Sequence, residues 1–175
     1  MQIRVATEAD VQAIRTVHEA SIRGLGSETY DVEQVDAWAA GVESADYAAV
    51  SHDGFYYTVA EIETGAVDGQ SVVGFGTLAW CEPDGYQADV DAEVTAVYVH
   101  PDVARDGVGT ALLVDLERQG RSEGFRSLGL TASTNAVPFY EAHGYVRVRE
   151  RTHEFSVREG TGVEGTVVEM RKGLD

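Results

Sequence analysis

One join in the sequence constrains the fold more than any other. Val97-Tyr98-Val99 is β-branched and aromatic, and the run stops at His100-Pro101, where proline removes a backbone donor. The turn Ala104-Arg105-Asp106-Gly107-Val108-Gly109 follows, and a helix to about Ser122 then buries Leu112, Leu113 and Leu116. A strand that turns directly into a helix exposes several backbone N–H groups. The first helical turn adds more, at the positive end of its dipole. Such a join can hold a phosphate without lysine. A P-loop would need Gly-Lys-Ser or Gly-Lys-Thr, which the chain lacks, and after Gly107-Val108-Gly109 a dinucleotide fingerprint meets Leu112 where it needs glycine. Taken alone, the two glycines read as an ordinary strand-to-helix turn.

The rest of the chain surrounds this join with alternating element types. Ile3 to Val5 reads as a short strand. Thr7 to about Leu25 reads as a helix, with Val11, Ile14, Val17, Ile22 and Leu25 on one face. Asp31 and Gln34 have capping-box spacing ahead of a second helix carrying Val35, Trp38, Ala39 and Val42. Phe55–Ile62, Val72–Trp80 and Val90–Val99 are strand-like, the first two separated by a turn at residues 64–69. After the central helix come a short strand, Ser127–Thr131, and a helix at Asn135–His143 with Asn135 as its cap. Tyr145–Phe155 and Val163–Met170 read as closing strands. The order predicts an α/β (α+β) fold with helices on both faces of a mixed sheet. At 175 residues and 43% hydrophobic content, one domain spanning 1–175 with a real core is expected.

Charge narrows the partners. Asp and Glu number 30 against 13 Lys and Arg, a net charge of −17, and Lys172 is the sole lysine. Such a chain repels nucleic acid and anionic membranes, and it repels itself where screening is weak. Loss of lysine beside a rise in acids suggests adaptation to a very salty cytoplasm, as in a halophile. No run of ~18 apolar residues exists to span a membrane. MQIRVATEAD lacks a charged-then-apolar signal region, which favours the cytoplasm over secretion. Cys81, the only cysteine, reads as a bystander thiol. The five histidines are dispersed without His-Glu-x-x-His spacing, so no metal is expected.

Two segments together carry a family resemblance. Val97-Tyr98-Val99-His100-Pro101 with Ala104-Arg105-Asp106-Gly107-Val108-Gly109-Thr110-Ala111-Leu112-Leu113 resembles the central motif of the GCN5-related N-acetyltransferase (GNAT) superfamily. Asn135-Ala136-Val137-Pro138-Phe139-Tyr140-Glu141-Ala142-His143-Gly144-Tyr145 resembles its later motif, in the expected order. The resemblance implies the GNAT acyl-CoA N-acyltransferase fold, a mostly antiparallel mixed sheet of about seven strands with about four helices. One position departs: the family usually has Gln or Arg where this chain has Ala104, with Arg105 one place later.

The resemblance further implies acetyl-CoA as donor, a primary amine on a small molecule or peptide as acceptor, and direct attack in a ternary complex. Pyrophosphate would lie on the N–H groups of Arg105, Asp106, Gly107, Val108, Gly109 and Thr110, and the pantetheine arm along Val97, Tyr98 and Val99. One N–H near Val97 would polarise the thioester carbonyl. Asn135 would touch the CoA arm besides capping its helix. Tyr140 matches the family's general acid, since a phenol can protonate the departing thiolate. Glu93 lies where many members place a base acting directly or through water. Asp89, Asp91 and Glu93 alternate and would share one face of an unbroken strand, which could also be plain acidic surface. Arg147, Arg149 and Arg151 would likewise share a face and pair with acids such as Glu164 or Glu169. Tyr30, Trp38 and Trp80 are candidate acceptor-pocket residues, with core packing the stronger reading for Trp38. A homodimer is open, since dimers are frequent in the family. A CoA-binding sensor without catalysis, needing neither Tyr140 nor Glu93, and an acidic interaction protein are the competing readings.

Overall fold

The computed structural model describes residues 1–45, 47, 50, 52–63, 67, 69–80, 85–155 and 162–175. Cys81 and most of the expected turn at 64–69 lie outside the described residues. The strands are β1 (Gln2–Val5), β2 (Phe55–Glu61), β3 (Val72–Ala79), β4 (Ala92–Val99), β5 (Ser127–Ser133), β6 (Val146–Glu154) and β7 (Glu164–Gly173). The α-helices are α1 (Val11–Leu25), α2 (Val32–Ser44), α3 (Val108–Ser122) and α4 (Val137–Ala142). The strands form one sheet in the order β1-β2-β3-β4-β5-β7-β6. Every neighbouring pair is antiparallel except β4 and β5. This is the expected mixed, mostly antiparallel GNAT sheet with helices on both faces.

Local chemistry explains the elements. Asp31 and Gln34 form the anticipated reciprocal cap of α2: the Gln34 N–H donates to Asp31 Oδ1 at 2.8 Å and the Asp31 N–H to Gln34 Oε1 at 3.0 Å. At the other end, Arg15 of α1 donates to the carbonyls of Val42 and Glu43, satisfying the last turn of α2. α3 sits close on the sheet because β3 carries Gly74 and Gly76. A Cβ at either would come within 3.0 Å of Leu112, Val108 or Leu116. On this face Leu78, Val94, Leu113, Leu116, Leu128, Leu130 and Met170 form the main core. On the other face α1 buries Ile14 and Val17 against Val59 and Phe75. No helix among the described residues is long and apolar enough to cross a membrane.

Of three register shifts in the sheet, those in β4 and β6 change which of the expected site and paired side chains share a face. In β4, Ala96 opposes Thr77 and Val94 opposes Leu78, so Thr95 is extra. In β6, Arg147 opposes Met170 and Arg149 opposes Glu169, so Val148 is extra. The expected single face of Arg147, Arg149 and Arg151 is therefore broken. Arg147 turns to the helix side and pairs with Glu141 of α4 at 2.7 Å, while Arg149 pairs with the buried Glu169 at 2.8 Å. A run of alternating residues cannot reveal an inserted one.

Candidate active site

β4 and β5 part company halfway along. Their pairing covers Ala92–Leu128, Glu93–Gly129 and Val94–Leu130, and no ladder joins them beyond it. The bulge at Thr95 begins where the pairing ends, and a bulge bends the strand that carries it. The far arm is held from outside. Tyr30 OH donates to the Thr166 carbonyl at 2.7 Å and accepts from the Thr134 N–H at 3.0 Å, tying the end of β5 to β7. The result is a V-shaped slot. The His100 N–H bonds to the Val73 carbonyl at 2.8 Å. Antiparallel alternation then turns the backbone groups of Tyr98 toward β3 and those of Val97 and Val99 toward the slot.

Two cavities meet at this slot. The larger, about 340 Å³, lies between the turn before α3, α4 and the C-terminal part of α1; Arg105, Gly107, Gly109, Thr110 and Asn135 are on its wall. The smaller, about 210 Å³, lies on the α2 side of the sheet, among Thr95, Thr131, His153, Phe155 and Val167. Trp38, Val97, Tyr98, Ser133, Ala136 and Tyr140 line both. Tyr140 thus stands at the junction, and burial pushes its phenol well above the ordinary value, so it carries its proton at neutral pH. Burial likewise pushes Tyr98 up to about 12.

The turn before α3 has the geometry of an anion cradle. Arg105 (φ 70°) and Gly107 (φ 85°) are both left-handed, and the first bond of α3 runs from the Ala111 N–H to the Gly107 carbonyl. The N–H groups ahead of Ala111 therefore have no helical acceptor. Nothing lies within 4 Å of where a Cβ on Gly107 would be, which leaves room for a bulky anion. Among the expected contacts, the Asp106 N–H is committed to the Val103 carbonyl at 3.3 Å, while Val108 buries its side chain in the core and keeps its N–H among those without a helical acceptor. The Arg105 guanidinium is largely exposed, 3.8 Å from Glu28.

Other expected residues fall differently. Asn135 does not cap α4; Ala136 holds the cap position, because the Asn135 amide donates instead to the Leu25 carbonyl at 3.2 Å. Asn135 Oδ1 is buried without a partner among the described residues. Asp89, Asp91 and Glu93 do not form one cluster. Asp91 accepts from the Arg126 and Ser127 N–H groups at 2.7 and 3.0 Å, which holds its carboxyl below the usual range and fixes the start of β5. Asp89 is exposed. Glu93 points to Tyr86, whose hydroxyl donates to Glu93 Oε1 at 2.5 Å, and burial pushes the Glu93 carboxyl up. Trp38 is wall and packing at once, stacked on Phe155 with centroids 5.4 Å apart. Tyr30 supports the slot from behind, and Trp80 is exposed beyond the end of β3. Sequence reasoning missed Tyr86 and Thr131 of the Glu93 cluster; Tyr86 lies in an irregular segment where no periodicity marks it. Among the described residues no group of three or more His, Cys, Asp or Glu could hold a metal ion.

A mixed sheet whose central parallel pair splays beside a backbone anion cradle is the architecture of the GCN5-related N-acetyltransferases. The chain belongs to the acetyltransferase (GNAT) family, matching it over residues 20–145. It is similar to the uncharacterized N-acetyltransferase YafP of Escherichia coli K12, with 23% identity over 154 residues, 88% of this chain and 87% of YafP. It also resembles the crystal structure of a GCN5-related N-acetyltransferase from Rhodopseudomonas palustris, at 27% identity and a TM-score of 0.77, covering 98% of this chain and 94% of that one. The fold is shared with yncA of Salmonella typhimurium, solved with its cofactor acetyl-CoA, at 23% identity and a TM-score of 0.62, covering 100% of this chain and 94% of that one.

Proposed function

We propose that the protein is an acetyl-CoA-dependent N-acetyltransferase that acetylates a primary amine by direct attack in a ternary complex. The observation that carries this reading is Tyr140 on the walls of both cavities, where a donor from one side and an acceptor from the other would meet. The residues fit the donor: the left-handed pair Arg105 and Gly107 makes a concave run of N–H groups, and Asn135 lines the same cavity. Acetyl-CoA supplies an activated acyl group and a thiolate leaving group.

The N–H groups of Arg105, Gly107, Val108, Gly109 and Thr110 would hold the pyrophosphate. The slot-facing groups of Val97 and Val99 would pair with the pantetheine amides as an added strand does, and the Val97 N–H would polarise the thioester carbonyl. Tyr140 would give its phenolic proton to the departing sulfur. Glu93 would take the proton that the acceptor ammonium must lose before it can attack.

The acceptor cavity narrows the amine. Its described wall sets Trp38, Phe155 and Val167 beside the hydroxyl bearers Thr95, Thr131, Ser133 and Tyr140, and it carries no carboxylate. His153 on the same wall is held below its usual pKa by burial, so it is neutral at pH 7. The stacked Trp38 and Phe155 rings favour an amine borne on an aromatic or apolar group over a polyamine, whose second ammonium meets no counter-charge among the described wall residues.

The test is calorimetric titration of acetyl-CoA in concentrated KCl, followed by turnover with phenethylamine and spermidine. One-site binding and turnover are expected, with phenethylamine preferred. Tyr140→Phe should lower kcat by about 100-fold while changing the acetyl-CoA Kd by no more than about twofold. Near-normal turnover in that variant refutes the acid assignment. Binding with no turnover on any amine leaves a CoA-binding sensor.

A further inference from the structure

Glu93 is set back from the acceptor cavity, and Thr131 is the residue on its wall. Thr131 Oγ1 lies 2.9 Å from the Tyr86 hydroxyl, which donates to Glu93 Oε1 at 2.5 Å. The carboxylate accepts only, so the single Tyr86 proton points to Glu93 and the Thr131 hydroxyl must be the donor to Tyr86. Both O–H bonds then run the same way, from the cavity toward Glu93. A proton can follow such a row by successive hops.

The row is braced. A Cβ on Gly129 would come within 2.9 Å of the Tyr86 ring, so glycine there lets the ring lie against β5. The buried Glu169 accepts from the N–H groups of Gln87 and Ala88 at 2.8 and 2.9 Å and pairs with Arg149, fixing the segment that carries Tyr86. The Arg151 guanidinium of β6 lies 5.7 Å from the Tyr86 ring centre. Tyr86 and Arg151 are the groups that act on Glu93, and both favour its charged form against the cost of burial. On its own strand approach, Asp91 is engaged with β5 and Asp89 is exposed.

The geometry points to Thr131, Tyr86 and Glu93 as a proton relay that drains the acceptor ammonium. The inference rests on the amine acetyltransferase reading above. The ammonium N–H donates to Thr131 Oγ1, Thr131 passes its own proton to the Tyr86 oxygen, and Tyr86 passes its proton to Glu93 Oε1. The ammonium and the carboxylate become a neutral amine and a carboxylic acid. Each hydroxyl ends with one proton, and nothing is oxidised or reduced. The amine lone pair is then free to attack, and Glu93, only partly buried, returns its proton to solvent.

The experiment measures thiol release from acetyl-CoA with the best amine of phenethylamine, spermidine and an alanine dipeptide, from about pH 5 to 9. Thr131→Val and Tyr86→Phe are each expected to lower kcat by about 10- to 100-fold with acetyl-CoA binding retained, which also reports folding. Thr131→Ser keeps the hydroxyl and should recover most of the rate. Tyr86→Phe removes a donor that favours the Glu93 carboxylate, so the acid limb of the rate profile should move to higher pH, which marks Glu93 as the titrating base; the loss in Thr131→Val with recovery in Thr131→Ser separates a relay from such tuning. Thr131→Val with turnover within about twofold of the parent, or an unmoved acid limb in Tyr86→Phe, overturns the relay. A parent enzyme that acetylates none of the amines overturns the acetyltransferase reading, and the relay with it.

Discussion

Tyr98 shows how one residue of the cleft depends on groups that no motif marks. Its ring packs in a triangle with Phe75, stacked 5.5 Å away, and the His18 ring, 4.1 Å away. His18 is bonded to the Tyr47 hydroxyl at 2.7 Å, and burial lowers its pKa from 6.5 to about 4, so it is neutral in the fold. The unfolded chain protonates this histidine below pH 6.5, while the folded protein resists until about pH 4. Stability is therefore complete above the first value and declines toward the second, by on the order of 3 kcal/mol for such a shift. Denaturant midpoints should fall over this window for the parent and stay nearly flat for His18→Phe. An equal slope in both would show that His18 is not the titrating group. Asp10 acts in a lower window. Bonds from Arg4 hold its pKa at about 2 against 3.8, so its contribution is lost only as pH falls through that range.

At the scale of elements, the cleft depends on how α3 is anchored. Glu117 on the buried face of α3 is 7% exposed and accepts both Lys172 Nζ bonds from β7, at 2.7 and 2.8 Å, with Arg121 a further 3.6 Å away. Asp115 on the same helix accepts from the Tyr56 hydroxyl of β2 at 2.9 Å. α3 thereby holds strands on either side of the slot while presenting its first turn to the cradle. Lys172→Met should strand the Glu117 carboxylate and cost about 3 kcal/mol, with Arg121 limiting the loss. Adding Glu117→Gln should restore much of the stability, because the uncompensated charge is then gone. Denaturation of the single and double variants checks this; equal stability of parent and single variant would mean that the pair contributes nothing net.

For the whole molecule, the charge of −17 governs conditions rather than architecture. At ~0.01 M salt the screening length is ~30 Å, wider than much of a domain this size, and at ~1 M it is ~3 Å. Relief of self-repulsion alone should therefore level off by about 1 M KCl. Adaptation to a salty cytoplasm predicts that the melting temperature goes on rising above that concentration. Thermal scans across the series decide the point, and a plateau near 1 M would leave screening as the whole effect. An anionic donor must also bind against this field, so the cradle N–H groups act locally at short range.

Much of this arrangement was already legible in the residues. Helical spacing, the Asp31 and Gln34 cap, and the strand-turn-helix join at Val97–Gly109 are local consequences of backbone sterics and periodicity, and each formed where its residues indicated. Helix boundaries near Asn135 were not legible, because an amide with a distant carbonyl in reach leaves the cap position. Nor were the bulges at Thr95 and Val148, since an inserted residue shows only in the register with a partner strand. The slot between β4 and β5, Tyr140 at its junction and the row from Thr131 through Tyr86 to Glu93 join segments far apart in the chain. The elements and the local anion cradle follow from the order of residues alone, since the cradle's N–H groups come from consecutive positions. Tertiary structure alone decided the cleft and its proton path, because packing, not chain neighbourhood, brings those side chains within bonding distance.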